Sequence, residues 1–382
     1  MILHLDLDCF FVSAARIKDP SLIGKNVAVV GGGGSAIFGD EESLGGVVLS
    51  PSYEARKFGV KSAMPLKKAQ NLCKDLILVK ADHGFYKELS QKLYKFLYSF
   101  TPDIEAFSID EFFMDLKGIE AKNDPLNFAK NLQSKILEKL NLPCSIGLSE
   151  AKFIAKLTTD LVKPFGVGMI KVNEIKDKLG DVDIAKFPFV GKSSQNYLKK
   201  HGIFTIKDAF EAKFVFEKMG KNGLKIYENI IGASRELELN KERKSISYGR
   251  TFEAIMDRNE IQRRIFVLCR YLSFSIYKFG KTPTKFEFRL RYIGRETHTK
   301  SFSLKESFSE NLLDRVMSEL FREADIRKTL SITHISVGVG GFLDTKVKTL
   351  FSDESALKLN NTLQSLRQKH GIEILKTAKE LG

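Results

Sequence analysis

Three carboxylates stand out by type and setting: Asp6 in the run His4-Leu5-Asp6-Leu7-Asp8-Cys9-Phe10-Phe11, and Asp110 with Glu111 in Ser108-Ile109-Asp110-Glu111. The first run alternates apolar and acidic residues and ends in two aromatics. That is the pattern of a buried strand that carries a carboxylate to its exposed end and then turns over a ligand. The second lies between two β-rich runs, Ile104-Glu105-Ala106-Phe107 and Phe112-Phe113-Met114-Asp115-Leu116, so the acidic pair falls at the tight connection of a hairpin and can be set beside Asp6. Three crowded carboxylates repel one another unless a cation neutralises them, and an all-oxygen set suits a hard ion such as Mg2+. The inference is a two-metal site for moving a phosphoryl group, its ions about 3.5–4 Å apart. Taken singly, each stretch is an ordinary solvated feature, since turns favour Asp for local hydrogen bonding.

The elements that must position these groups are legible from periodicity. Val27-Ala28-Val29-Val30 and Gly46-Val47-Val48-Leu49 read as strands, with the glycine run Gly31 to Gly34 between them. That run has no following Gly-Lys-Ser/Thr and no helix start, so it reads as a turn and not as a phosphate loop. Pro51 to Lys57 begins as a turn and becomes helical, putting Tyr53 and Arg56 on one face, where a phenol and a guanidinium can both grip phosphate oxygens. Apolar residues recur at helical spacing from Phe85 to Phe100 and again from Leu126 to Leu140. Helices alternating with acidic strands predict a sheet with carboxylates on one face and helices on the other. Pro164 is expected to end the helix before Lys163.

Five motifs then occur in order: Asp6 to Phe11; Ser52-Tyr53-Glu54-Ala55-Arg56-Lys57-Phe58-Gly59-Val60; Ser108 to Glu111; Gly147-Leu148-Ser149 with Lys152-Phe153-Ile154-Ala155-Lys156; and Lys163-Pro164-Phe165-Gly166. Together they resemble the Y-family of DNA polymerases, most closely its DinB-like (DNA polymerase IV) branch. Weaker similarity runs through most of the rest. The resemblance implies an α+β multidomain fold, a right-hand polymerase. Its palm would span residues 1–10 and 82–171, with small fingers at 11–81, a helix-hairpin-helix thumb at 172–236 and a linker at 237–245. An α/β little finger at 246–351 and a helical tail at 352–382 would complete it.

The resemblance also assigns roles. Asp6, Asp110 and Glu111, with the carbonyl of Leu7, would hold two Mg2+; Tyr53, Arg56 and Lys163 would hold the triphosphate of the incoming dNTP. Phe11 matches the family's steric gate against a 2′-hydroxyl, and Phe10 supports it and offers a backbone N–H to phosphate. Phe187 to Ile203 looks like the thumb hairpin, with Gly191 and Lys192 at a helix start that can meet a DNA phosphate. Phe189 stands where the family usually has Gly, Leu49 where it has a smaller residue, and the loop from Gly31 to Gly46 is several residues long. Near the end, Leu350 and Phe351 fall where relatives carry a peptide that docks on the sliding clamp, with Val347 in place of its glutamine.

The last domain reads strand, helix, strand, strand, helix, strand. In Lys285 to Tyr292, Phe286, Phe288, Leu290 and Tyr292 share one face while Lys285, Arg289 and Arg291 share the other, leaving a basic face for phosphates. Lys241, Arg243 and Lys244 make the preceding tether basic.

Composition agrees with such partners. The 382 residues have room for two to four domains, and a 43% apolar share argues for a folded chain. A net charge of +14 and a pI near 9.4 suit a polyanion such as primer-template DNA, although ribosomal or membrane-surface binding would give the same figure. No apolar run reaches the roughly 18 residues of a membrane span. The N-terminus lacks a basic segment ahead of an apolar one, so a cytoplasmic location is expected. Cys9, Cys73, Cys144 and Cys269 show no C-x-x-C spacing, so neither zinc nor a disulfide framework is indicated. The expectation is a monomeric, low-fidelity, template-directed DNA polymerase for translesion synthesis. Its rivals are a non-catalytic DNA-binding scaffold for repair and a nucleotide cyclase on a related palm. The cyclase would need neither the thumb nor the basic last domain.

Overall fold

Along β1 (Ile2–Leu7), Leu3, Leu5 and Leu7 face one side and Ile2, His4 and Asp6 the other, and the fold around the strand follows from that alternation. The computed structural model describes residues 1–31, 36–38, 46–118, 124–239, 242–344 and 354–380. It divides into two units, residues 1–31 with 47–241 and residues 32–46 with 242–382.

In the first unit, β1 leads into α1 (Phe10–Lys18), then β2 (Val27–Val30), β3 (Val48–Pro51), α2 (Tyr53–Lys57), α3 (Leu66–Leu72) and β4 (Ile77–Lys80). There follow α4 (His83–Tyr98), β5 (Ile104–Ala106), β6 (Glu111–Asp115), α5 (Pro125–Leu140), β7 (Cys144–Ser149), α6 (Lys152–Val162) and β8 (Val167–Met169). The remainder is helical: α7 (Ile175–Leu179), α8 (Lys192–Lys200), α9 (Ile206–Phe210), α10 (Lys213–Lys218) and α11 (Gly220–Ile230). A five-stranded sheet has the order β5-β6-β1-β7-β8, and a three-stranded one the order β3-β2-β4. Side-chain caps start the two long helices, Asp82 accepting from Phe85 N and Asp124 from Asn127 N.

Leu3, Leu5 and Leu7 pack with Phe112, Met114, Ile146 and Leu148 against the apolar stripes of α4 and α5. The carboxylate face is not left bare as the sequence predicts, because α6 crosses it. Its Thr159 bonds His4 and the residue after its end, Lys163, bonds Asp6. Gly147 permits this approach, since a Cβ there would stand 2.2 Å from Ala155 O and 2.5 Å from Thr159 N. On the same side, Leu237 packs against Ile2, Phe113 and Ala155, and Glu238 N donates to Glu105 Oε2 at 2.7 Å. Glu105 in turn meets the buried Lys152 at 2.6 Å, so the first residues of the predicted tether are anchored rather than loose.

The second unit contains β9 (Ser245–Ile255), α12 (Arg258–Phe279), β10 (Lys285–Tyr292), β11 (Thr297–Ser303), α13 (Glu310–Ala324), β12 (Ile332–Gly340) and α14 (Glu354–His370). The first six appear in the order expected from sequence and form an antiparallel sheet, β11-β10-β12-β9, backed by α12 and α13. Phe286, Phe288, Leu290 and Tyr292 are all buried. Two buried ion pairs, Arg270–Glu380 at 2.7 Å and Arg367–Glu310 at 2.5 Å, fix the C-terminal segment to these helices. Phe38, from the long loop, belongs to this unit's core. Its ring lies 4.7 Å from the Arg264 guanidinium and 6.1 Å from the Phe252 ring, and its carbonyl accepts from Arg263 at 2.9 Å.

Candidate active site

Cys9 adopts a left-handed conformation, φ 46°, which ends β1 and turns the chain into α1. Asp6 and Leu7 thus close the strand while Phe10 and Phe11 open the helix. The second carboxylate segment arrives from the β5–β6 hairpin. Ser108 Oγ accepts from the backbone N–H groups of Asp110 and Glu111 and donates to Asp110 Oδ1 at 2.6 Å. Leu7 N donates to Asp110 O at 3.1 Å and Glu111 pairs across from Asp6, so the backbones of the three acidic residues come to one end of the sheet.

Each carboxylate already has a partner. Lys163 Nζ lies 2.6 Å from Asp6 and 3.0 Å from Asp160, and Lys156 Nζ lies 2.6 Å from Glu111. Burial pushes the Asp6 pKa up to about 7; Lys163 opposes the shift and neighbouring Glu111 reinforces it. Burial also acts to raise Glu111, but the His4 ring and the Lys156 ammonium outweigh it and hold that carboxyl well below the usual range. His4 is fully buried, which lowers its pKa to about 4.

Among the described residues no three His, Cys, Asp or Glu side chains converge as a metal cluster. The donor chemistry nonetheless fits hard divalent ions: Asp6, Asp110 and Glu111 supply only oxygens, and the ionised Asp6 is incompletely compensated where it lies.

Asp8, in the same acidic run, has a different job. It is buried and its oxygens accept from Ser145 Oγ at 2.9 and 3.1 Å, from Phe165 N at 2.8 Å and from Tyr53 OH at 3.2 Å. This knot ties α2 and the chain after α6 to β1. Arg56 stacks its guanidinium 4.8 Å from the Tyr53 ring and donates to Pro51 O at 3.2 Å. Phe10 is buried; Phe11 is half-buried and stacks on Tyr86, with ring centroids 4.3 Å apart and an interplanar angle of 12°. Asp6, Leu7, Phe10, Phe11, Leu49, Tyr53, Arg56, Asp110 and Lys163 line one cavity of about 230 Å3. Glu111 does not line it; it pairs across from Asp6 and is held by Lys156. Sequence reasoning missed His4, Lys156 and Ser145 as supports. His4 carried a signal, since it lies two residues before Asp6 and hence on the same strand face.

Gly191 caps α8 and Lys192 begins it, both exposed. Phe189 takes φ 68°, the conformation a glycine would adopt without strain, and sets its ring edgewise to Phe153 and Phe107 at 5.0 and 6.2 Å. In the second unit, Lys285 and Arg289 are exposed and Arg291 is half-buried on the sheet face away from the helices. Glu287 shares that face and pairs with Arg289 at 3.2 Å, while Arg291 donates to Thr251 at 3.2 Å. Lys244 and Lys285 line a groove of about 450 Å3 with Gly338 to Gly341. Arg243 bonds Ser245 O. Lys241, Leu350 and Phe351 lie outside the described residues. No helix among the described residues is long and apolar enough to cross a membrane.

Comparison with known proteins covers both units. The model of the impB/mucB/samB family matches residues 5–160, and that of the family's C-terminal domain matches residues 243–350. DNA polymerase IV of Staphylococcus aureus strain bovine RF122 / ET3-1 is 34% identical over 314 residues, 81% of this chain and 93% of the relative. The strain JH9 protein of the same name is 34% identical and covered to 85%. Among solved structures, a Y-family DNA polymerase chimera matches 90% of this chain and 99% of its own with a TM-score of 0.77, and DinB from Sulfolobus solfataricus matches the same shares at 0.58. Both are 23% identical, a likeness of fold.

Proposed function

Since the chain belongs to the Y-family of DNA polymerases, on its DinB-like, DNA polymerase IV branch, it is a DNA-directed DNA polymerase, and we propose that Asp6, Asp110 and Glu111 form its catalytic centre. Membership implies translesion synthesis and divalent metal ions. The observation that carries the residue assignment is the single cavity in which Asp6 and Asp110 face Tyr53, Arg56, Lys163 and Phe11.

In this reading Asp6, Asp110, Glu111 and the Leu7 carbonyl would hold two Mg2+, which would supply Lewis acidity to the primer 3′-hydroxyl and positive charge to the phosphates. The remaining work falls to the chain's own groups. Arg56, stacked on Tyr53, binds triphosphate oxygens from one wall, where the Tyr53 hydroxyl can turn its single proton from Asp8 to phosphate; Lys163 can exchange its carboxylate partner for phosphate from the other. Until that exchange the Asp8 knot fixes the spacing between those walls, a positional contribution. Phe11, backed by Tyr86, closes the space a 2′-hydroxyl would need. Gly191, Lys192, Arg243, Lys244, Lys285, Arg289 and Arg291, with Lys241, contact the DNA backbone, and the protein acts as a monomer with the domains the sequence predicts, save that residues 32–46 of the predicted fingers group with the second unit.

Extension of a primer on an undamaged template tests the centre. Wild type should extend in the presence of Mg2+, and Asp110→Ala and Glu111→Ala should each abolish extension with primer-template binding retained. A wild type that binds primer-template without extending it would favour the scaffold. A clamp contact through Leu350 and Phe351 predicts retention on purified clamp that is lost when both become Ala; retention indifferent to them rejects it.

A further inference from the structure

We propose that His4 is a positioning residue of this centre, its Nε2–H orienting the Glu111 carboxylate through Oε2; the inference rests on reading Glu111 as a metal ligand. His4 pairs across from Phe113 and Asp6 across from Glu111, so the imidazole and Glu111 are diagonal neighbours on the same sheet face. The ring is completely buried and held on two sides, by Phe113 with centroids 4.5 Å apart and by Thr159 Oγ1 at 2.9 Å from Nδ1. Its Nε2 has no hydrogen-bond partner among the described residues and stands 3.9 Å from Glu111 Oε2. A buried polar nitrogen left in this way is costly, and the group nearest at hand to relieve it is that carboxylate.

The tautomer follows from Thr159. Its hydroxyl has one proton and three neighbours: His4 Nδ1 at 2.9 Å and the carbonyls of His4 and Ala155, each at 3.1 Å. Carbonyls inside a strand ladder and a helix already receive backbone N–H groups, whereas Nδ1 has only this hydroxyl. The proton therefore goes to Nδ1 and the ring's own hydrogen sits on Nε2, aimed at Glu111. The opposite assignment would set a lone pair against a carboxylate. Lys156 bonds the other oxygen, Oε1, at 2.6 Å, so Glu111 is held at one oxygen and faces the imidazole N–H with the other. Gly147 makes the arrangement possible, because a Cβ there would lie 2.6 Å from Thr159 Oγ1. Outer partners that fix a ligating group govern metal affinity, and their loss costs about 10- to 100-fold.

The test is Mn2+ binding, read by electron paramagnetic resonance, to the full chain with dNTP on a primer-template ended by a dideoxynucleotide, so that no turnover occurs. His4→Phe keeps the ring packing and removes both nitrogens; it should weaken Mn2+ binding about 10-fold with primer-template affinity and melting temperature unchanged. Thr159→Val should weaken it similarly, the double variant no further, and His4→Gln should recover part of the loss. Mn2+ affinity within about twofold of wild type in His4→Phe overturns the inference; should that variant not fold, the same result in Thr159→Val overturns it. Wild-type binding that survives Glu111→Ala overturns the ligand reading, and the inference with it.

Discussion

At the level of single residues, the proposed steric gate at Phe11 makes the most direct prediction. Phe11 stands between the cavity and Tyr86, so its ring cannot retreat without unstacking. Forcing a hydroxyl into a packed space costs about 1–3 kcal/mol. Phe11→Ala should therefore improve incorporation of ribonucleotides relative to deoxynucleotides by roughly 10- to 100-fold. Competing single-nucleotide insertions measure this, and an unchanged ratio would refute the gate. The three carboxylates were readable beforehand because strand alternation and a hairpin constrain where such residues end up. Their lysine partners were not. Lys156 and Lys163 reach Glu111 and Asp6 from α6 and its end, and nothing local to the acidic runs encodes which helix crosses that face. Phe189 shows the same limit in the backbone, where side-chain packing against Phe107 and Phe153 accompanies a φ that residue type disfavours.

Among elements, α12, α13 and the C-terminal segment share a polar seam under the second sheet. Asp314, on α13, is buried beside Lys379, with Glu310, Glu380 and Cys269 also facing it. Burial pushes its pKa up to about 7; Lys379 opposes the rise and the two glutamates add to it. The folded form thus holds a proton that the unfolded chain releases near 3.8, so stability is greatest below that value and falls as pH rises toward 7. The full effect is roughly 4 kcal/mol at about 1.4 kcal/mol per unit. Asp314→Asn should gain stability relative to wild type between pH 5 and pH 8. Thermal unfolding followed by circular dichroism at both values checks this, and a pH-independent difference would reject it. Periodicity located α12 and α13 because each has an apolar stripe. It could not show that charged residues on their remaining faces are buried, since the covering segment lies some 50 to 110 positions away along the chain.

For the whole molecule, the division into units was only partly visible in the sequence. The polar, basic run near residue 240 marks the join, as linker composition usually does. The loop after β2 gave no such sign. Phe38 has no periodic neighbours, and its burial depends on Phe252 and Arg264, more than two hundred residues later. Removing that ring should cost about 3 kcal/mol, the usual penalty for deleting a buried phenyl group. Calorimetry should show Phe38→Ala lowering the transition of the second unit alone, and a fragment of residues 242–382 melting at the same reduced temperature. An unaltered transition would mean that Phe38 contributes nothing there. The second unit is thus written in two places in the sequence. Module exchange with a relative, spliced at the join near residue 240, would pair one protein's aromatic plug with another's socket, and a faithful swap has to move residues 32–46 as well.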